Sequence, residues 1–326
     1  MEQVVAVAVR VGLLNRRMGL APCDGAGMTT GPAIKSPCSH SAKSVSDVNR
    51  FFPLLTITVA VSSLSSIRGE ETIDLKAATS IAARKEVEKY RFTISDDDNT
   101  KSDASVLNLV MNPILHWTNP AAGNVYGDVF VWTRNGRPEV VASFHQFHGS
   151  FEQTAIEFTS LSQEKLQCRN ESAAVWKPKK AGVTLQPCSG SIYPATQLSL
   201  RLTQTRRIAA EFSIRLKDEQ TNGVERKLRL MPQPVFRYES TDPNVLDAAM
   251  FAFVEGTAPE AVLLIEARKT GKGFAWYYSF ARMNIHPLVA VFDGEEVWQT
   301  AGIRWPYDRP RESFTVLVLS ESKRIP

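Results

Sequence analysis

The sequence predicts an α+β fold, rich in β-structure, built by tandem duplication of one helix-plus-antiparallel-sheet module. Three observations predict it. The phrase Leu107-x-Leu109-x-x-x-Pro113-x-x-x-Trp117 returns, 121 positions later, as Leu228-x-Leu230-x-x-x-Pro234-x-x-x-Tyr238. The register then holds through Phe130-x-Trp132 and Phe251-x-Phe253 to Pro138-Glu139 and Pro259-Glu260. After one added residue, Phe158 matches Phe280, Leu166 matches Leu288, and Val175-Trp176 matches Val297-Trp298. The kept residues are those a scaffold needs, apolar side chains alternating along strands and prolines at strand ends or edges. Each copy is also preceded by a helix-compatible segment. Units of roughly 120 residues are long enough for their own cores and too long for the stacked repeats of a solenoid. Paired β-sandwich modules with peripheral helices are the alternative architecture.

The first module is expected over residues 70–190 and the second over 195–326. Residues 77–89 are rich in Ala, Glu, Lys and Arg and read as helix, with an imperfect apolar face of Ala78, Ile81, Ala82 and Val87. Strand-like segments follow at 106–110 and 125–132, the latter running to a turn at Asn135-Gly136. Residues 143–149 look like a strand ending at a glycine. A connection at 188–196 joins the modules. In the second copy Leu198, Leu202, Thr205, Ala209, Phe212 and Leu216 recur at helical spacing, with Thr196 as the expected N-cap and Asn222-Gly223 as a turn. Residues 227–231, 251–254 and 261–267 continue as strands, and Trp276, Tyr278 and Phe280 share one strand face. Asp293-Gly294 marks a hairpin between 288–292 and 296–298, and 314–319 closes the chain as an apolar strand. Each helix is expected to cover one face of its sheet over an aromatic core.

The front of the chain reads differently. Residues 1–47 carry no periodic core pattern beyond a short apolar stretch, and are read as a nonstructural or mis-annotated extension. Asn49-Arg50, an eleven-residue apolar run at 51–61 and the small residues 62–66 have the form of a secretory signal peptide at 48–66. The run is short for a membrane span, so no stable transmembrane segment is expected. Export to the periplasm or outside the cell is the reading, with anchoring by an uncleaved N-terminal segment as the alternative. The chain holds 38 basic and 34 acidic residues, of which residues 1–66 account for six and three, leaving 32 and 31 in the body. A near-neutral body lacks the broad positive surface of a nucleic-acid binder, and no nucleic-acid partner is expected.

Candidate chemistry is sparse. His145-x-x-His148 with Glu152 is the sharpest group; on a helix the three share a face and suit zinc, whereas on a strand the histidines point to opposite faces. In an exported protein Cys168 and Cys188 can close a loop as a disulfide, against the alternative of two unpaired thiols. Asp96-Asp97-Asp98-Asn99 with Asp103 lacks the spacing, loop Gly and terminal Glu of a calcium-binding EF-hand and reads as a solvated loop. Lys177-Pro178-Lys179-Lys180 and Arg206-Arg207 read as solvated basic surface. Glu139 and Glu260 are matched acids beside a proline turn, suited to strand-end hydrogen bonds. No serine-nucleophile elbow, dinucleotide fingerprint or phosphate-binding loop is present.

Residues 113–120, Gly136-Arg137-Pro138-Glu139, 229–238 and 245–254 resemble an uncharacterised family of conserved planctomycete bacterial proteins, a likeness covering about residues 70–310. The resemblance implies lineage and export, and no mechanism. A duplicated aromatic scaffold without duplicated polar machinery points to an exported, noncatalytic protein that binds a small ligand or an envelope protein, with no cofactor. The alternative is a metal-assisted hydrolase using zinc in the first module.

Overall fold

The computed structural model describes residues 74–94, 106–120, 123–148, 151–171, 173–218, 224–304 and 312–324. The extension at 1–47, the leader at 48–66, the aspartate-rich loop and the Asn222-Gly223 turn lie outside them. Among the described residues no helix is long and apolar enough to cross a membrane.

The first module opens with helix α1 (Leu75–Val87). Asp74 caps it, one carboxylate oxygen accepting from the Lys76 and Ala77 amides at 3.1 Å each. Thr79, Ala83 and Val87, one turn apart, form its buried stripe. Strands β1 (Tyr90–Ile94), β2 (Asn108–Leu109), β3 (Leu115–Thr118), β4 (Asn124–Arg134), β5 (Arg137–His148), β6 (Phe151–Ser160), β7 (Leu166–Asn170), β8 (Ala173–Trp176) and β9 (Gln186–Pro187) follow. The second module repeats the order with α2 (Leu198–Ala210), β10 (Phe212–Asp218), β11 (Val224–Lys227), β12 (Arg229–Leu230), β13 (Phe236–Tyr238), β14 (Val245–Glu255), β15 (Ala258–Thr270), β16 (Gly273–Arg282), β17 (Leu288–Phe292) and β18 (Glu295–Thr300). A last strand, β19 (Phe314–Arg324), ends it.

Each module therefore has a large antiparallel sheet, around β4–β5–β6 in one and β14–β15–β16 in the other, and a small sheet, β1–β7–β8 or β11–β10–β17–β18. Alternation sorts the long strands' side chains onto two faces. One face packs under the helix and the small sheet: Phe130, Trp132, Phe144 and Phe158 against Ala83, Val87 and Phe92, and likewise Phe251, Phe253, Leu263 and Phe280 against Ile208, Ala209 and Phe212. The other faces share one core, in which Val129, Val131 and Val141 of the first sheet join Met250, Val262 and Leu264 of the second. The expected α+β duplication is thus present, and the space between the modules is a packed core.

The partition at 190–195 needs a correction. Strand β19 follows the second module but pairs antiparallel with β6 of the first, and β9 follows the first module but pairs with β16 of the second. β6 and β16 are equivalent strands in the repeat, so the modules exchange their closing strands reciprocally. The long partner, β19, runs from Phe314 opposite Thr159 to Arg324 opposite Phe151, whereas β9 meets β16 only at Tyr277 and Tyr278.

The second helix also ends earlier than its apolar spacing predicts. Phe212, Ile214 and Leu216 lie on β10 and point to the core at period two; Phe212 and Leu216 merely continue the helical spacing of the residues before them. The N-cap position is Gln197, not Thr196, and has no side-chain cap; the Thr196 carbonyl accepts from the Arg201 guanidinium at 2.8 Å. The disulfide is not formed. Cys168 lies in the core beneath α1 and Cys188 in the core beneath α2, and both are buried free thiols. Burial pushes the Cys188 thiol up to about 12 and the Cys168 thiol higher still.

Asn135-Gly136 and Asp293-Gly294 turn as expected, with φ of 53° and 81° in the first and 47° and 83° in the second. Positive φ at both central residues matches the twist of tight hairpins. The first hairpin docks on the other module: the Asn135 carbonyl accepts from the Thr241 amide at 2.9 Å, and a Cβ on Gly136 would stand 2.2 Å from the Glu239 carbonyl oxygen. Gly256, on the matching turn of the second module at the position of Asn135, has open space around its Cβ position. Gly256→Ala is expected to cost about 1 kcal/mol from its left-handed backbone alone, and Gly136→Ala roughly 3 kcal/mol or more, because the hairpin must back away. Urea unfolding of the two variants checks the difference; equal losses would contradict the docking.

Candidate functional site

The zinc candidates lie on one strand and its neighbour. On extended β5, His145 faces the shared core, fully buried, its ring 5.8 Å from that of Trp117. His148 faces the helix, with Nε2 3.1 Å from the Thr79 hydroxyl. Glu152 is the cross-strand partner of His148 on β6. The strand thus brings His148 and Glu152 side by side and sends His145 to the opposite face. Among the described residues no group of three or more His, Cys, Asp or Glu is placed to hold a metal ion.

A different polar group converges near His148. Asp128 on β4 and His116 on β3 are direct cross-strand partners. One Asp128 oxygen lies 2.6 Å from His116 Nδ1, and the other accepts from the Ser80 hydroxyl of α1 at 2.6 Å. The carboxylate is buried, its side chain 5 % exposed, whereas the His116 ring is 49 % exposed. A carboxylate accepts here, so Nδ1 carries the proton of this bond, and the neutral form of the ring has its acceptor at Nε2. Ser80 is bonded to the acid and not to the imidazole, so the three residues do not form the relay of a serine hydrolase. Tyr126 stands next to His148, with ring centroids 6.0 Å apart.

The second module closes the same place with salt bridges. Asp247 on β14 accepts from Arg201 Nε at 2.8 Å, from the turn of α2 that corresponds to Thr79-Ser80, and from Arg237 Nη2 at 2.7 Å. Arg237 occupies the position of His116 in the repeat register. Both copies thus tie a helix and a short strand to a buried acid, but the first leaves a half-exposed imidazole on its acid, whereas the second holds its acid between two arginines. Neither His116 nor Asp128 stood out as a candidate in the sequence, because no local spacing marks them. The usable signal was the register itself, which sets His116 against Arg237.

The matched glutamates flank the shared core. Their backbone carbonyls accept from equivalent amides, Leu161 to Glu139 and Met283 to Glu260, each at 2.8 Å. The Glu260 side chain accepts from Asn284 at 2.5 Å, and Glu139 from Arg137 at 3.1 Å. These are strand-end bonds, as the proline-glutamate pattern suggests. Burial raises the Glu139 carboxyl above the ordinary range against the opposing pull of Arg137 and Ser162. Arg137, from the first module, also reaches Glu266 of the second at 2.9 Å. Glu266 accepts further bonds from Tyr238 at 2.8 Å and Arg268 at 2.7 Å. Burial disfavours the Arg137 charge, but Glu266, Tyr238 and Glu139 outweigh it and hold the guanidinium charged.

No protein-family model, curated protein or solved structure matches the chain.

Proposed function

We propose that this is an exported, noncatalytic binding protein whose ligand surface lies on the helix side of the first module, around His116, Asp128 and His148. The leader-like segment at 48–66 supports export. The observation that carries the binding reading is the exposed His116 dyad where the other copy has the closed Arg201–Asp247–Arg237 group. A scaffold role alone is satisfied by the salt-bridged version. In the neutral ring Nε2 is an acceptor and suits a ligand that offers a hydrogen-bond donor, a hydroxyl or an ammonium group, and Tyr126 adds an aromatic face beside His148.

The test is imidazole-nitrogen NMR of the protein titrated with sugars, amino sugars and primary amines. A binder is expected to move the His116 Nε2 resonance and to lose tenfold or more in affinity in His116→Gln and Asp128→Asn. Absence of any binder, or binding indifferent to both changes, would sink the reading. A second reading, general-base hydrolysis, draws on the same 2.6 Å dyad, since a carboxylate-held imidazole can take a proton from water. Ester turnover abolished in His116→Gln would favour it over binding alone. N-terminal sequencing of the mature protein tests export, and a retained Met1 in an intracellular protein would remove it.

A further inference from the structure

Between the Asn135-Gly136 hairpin and the β13–β14 loop lies a small polar cavity of about 200 Å³. Arginines reach it from three strand ends: Arg134 from β4, Arg137 from β5 and Arg268 from β15. The pseudo-equivalent positions at the other end of the shared core are Glu255, Ala258 and Phe147. The three guanidinium groups are therefore an addition at one end, which the common scaffold does not require.

We infer that this cavity is a binding site for a small monocarboxylate, separate from the His116 surface. Arg137 is fixed on one side by Glu266, Glu139 and the Leu161 carbonyl, and its Nη2 is buried without a hydrogen-bond partner. A charged donor in that state carries an uncompensated desolvation penalty that a ligand oxygen removes. The other two arginines each face an acid that water can take over, although Arg268 is also held by the buried Glu266 at 2.7 Å. Arg134 is held by Glu164, whose side chain is 46 % exposed, and Arg268 stands 4.0 Å from the half-exposed Asp242. A ligand carboxylate can take the place of Glu164 on Arg134 while Glu164 returns to water at little cost.

Charge and size set the class. The three guanidinium groups face the carboxylates of Glu139, Glu164, Asp242 and Glu266. Exchanging Glu164 for one negative ligand keeps that balance, whereas a dianion exceeds it. The volume corresponds to roughly six water-sized groups, the scale of acetate or lactate.

The experiment is calorimetric titration of the full chain with acetate, lactate and inorganic phosphate at fixed ionic strength. Saturable monocarboxylate binding is expected, at least tenfold weaker in Arg134→Gln and in Arg268→Gln and several-fold tighter in Glu164→Gln, where the competing acid is gone. All three positions are partly exposed, so circular dichroism should report intact folds. No saturable binding, or binding unchanged by the arginine variants, overturns the site; phosphate binding tighter than carboxylate overturns the ligand class.

Discussion

A chain stopped after residue 311, and so lacking β19, is expected to lose cooperative stability across both modules. The deleted strand supplies Phe314 and Val316, 1 % and 4 % exposed, to the first module's side of the fold. Burying two such side chains is worth roughly 1.5–3 kcal/mol each. The deletion also removes the β19 partner of β6, the Glu312 carbonyl that accepts from Trp176 Nε1 at 2.8 Å, and the Phe314 ring lying 5.6 Å from the Arg282 guanidinium. A loss of roughly 5 kcal/mol or more is a large share of a typical folding free energy. For a domain of this size it lowers the melting temperature by roughly 10–20 °C. Because the shared core and the exchanged strands join the modules, the truncated chain is expected to melt in one transition at the lower temperature. Two transitions, with the second module melting at its original temperature, would show that the strand exchange does not couple them. A synthetic peptide of residues 312–324 should restore part of the loss by pairing with β6.

The strand exchange also marks the limit of what the sequence makes legible. Alternation tells which face of a strand is buried, and tight turns such as Asn135-Gly136 tell which strands are hairpin neighbours. Neither says which edge a terminal strand meets, so β19 reads as belonging to the module that precedes it. The same limit explains α2: Phe212 and Leu216 satisfy a helical spacing, and only their packing beside Ile214 on β10 reveals period two. In the candidate site, nearness along the chain misleads. His145 and His148 are three residues apart yet face different layers, and Cys168 and Cys188 are buried in different cores. Ser80, His116 and Asp128 are distant in sequence and meet because α1 lies over β4 and β3 pairs with it. The repeat carried the hint, since copy-specific polar residues in a shared register are those the scaffold does not dictate.

Arg137→Ala is expected to be the most damaging single substitution between the modules. It removes the one guanidinium that spans from Glu139 of the first module to Glu266 of the second. Glu266 is fully buried and keeps Arg268 and Tyr238, but Glu139 is left with only the longer Arg134 contact at 3.7 Å among its cations. Breaking a buried ion-pair network from one side typically costs 3–5 kcal/mol. Arg137→Met with Glu266→Gln, which removes both charges, should cost distinctly less than the sum of the single changes, giving a coupling within roughly 0.5–3 kcal/mol in a urea double-mutant cycle. Additive single effects would mean that the two groups do not depend on each other. The pH dependence has a definite sign. Glu139 already titrates above its unfolded value because it is buried, so its favourable contribution is complete below that value and is lost as pH rises through the raised one. Without Arg137 nearby, the raised value moves further up, since the guanidinium is the largest influence opposing burial. The penalty of Arg137→Ala should therefore be larger near neutral pH than in mildly acidic buffer. A penalty that is flat or that grows on acidification would place the cost in lost packing of the side chain and not in the uncompensated carboxylates.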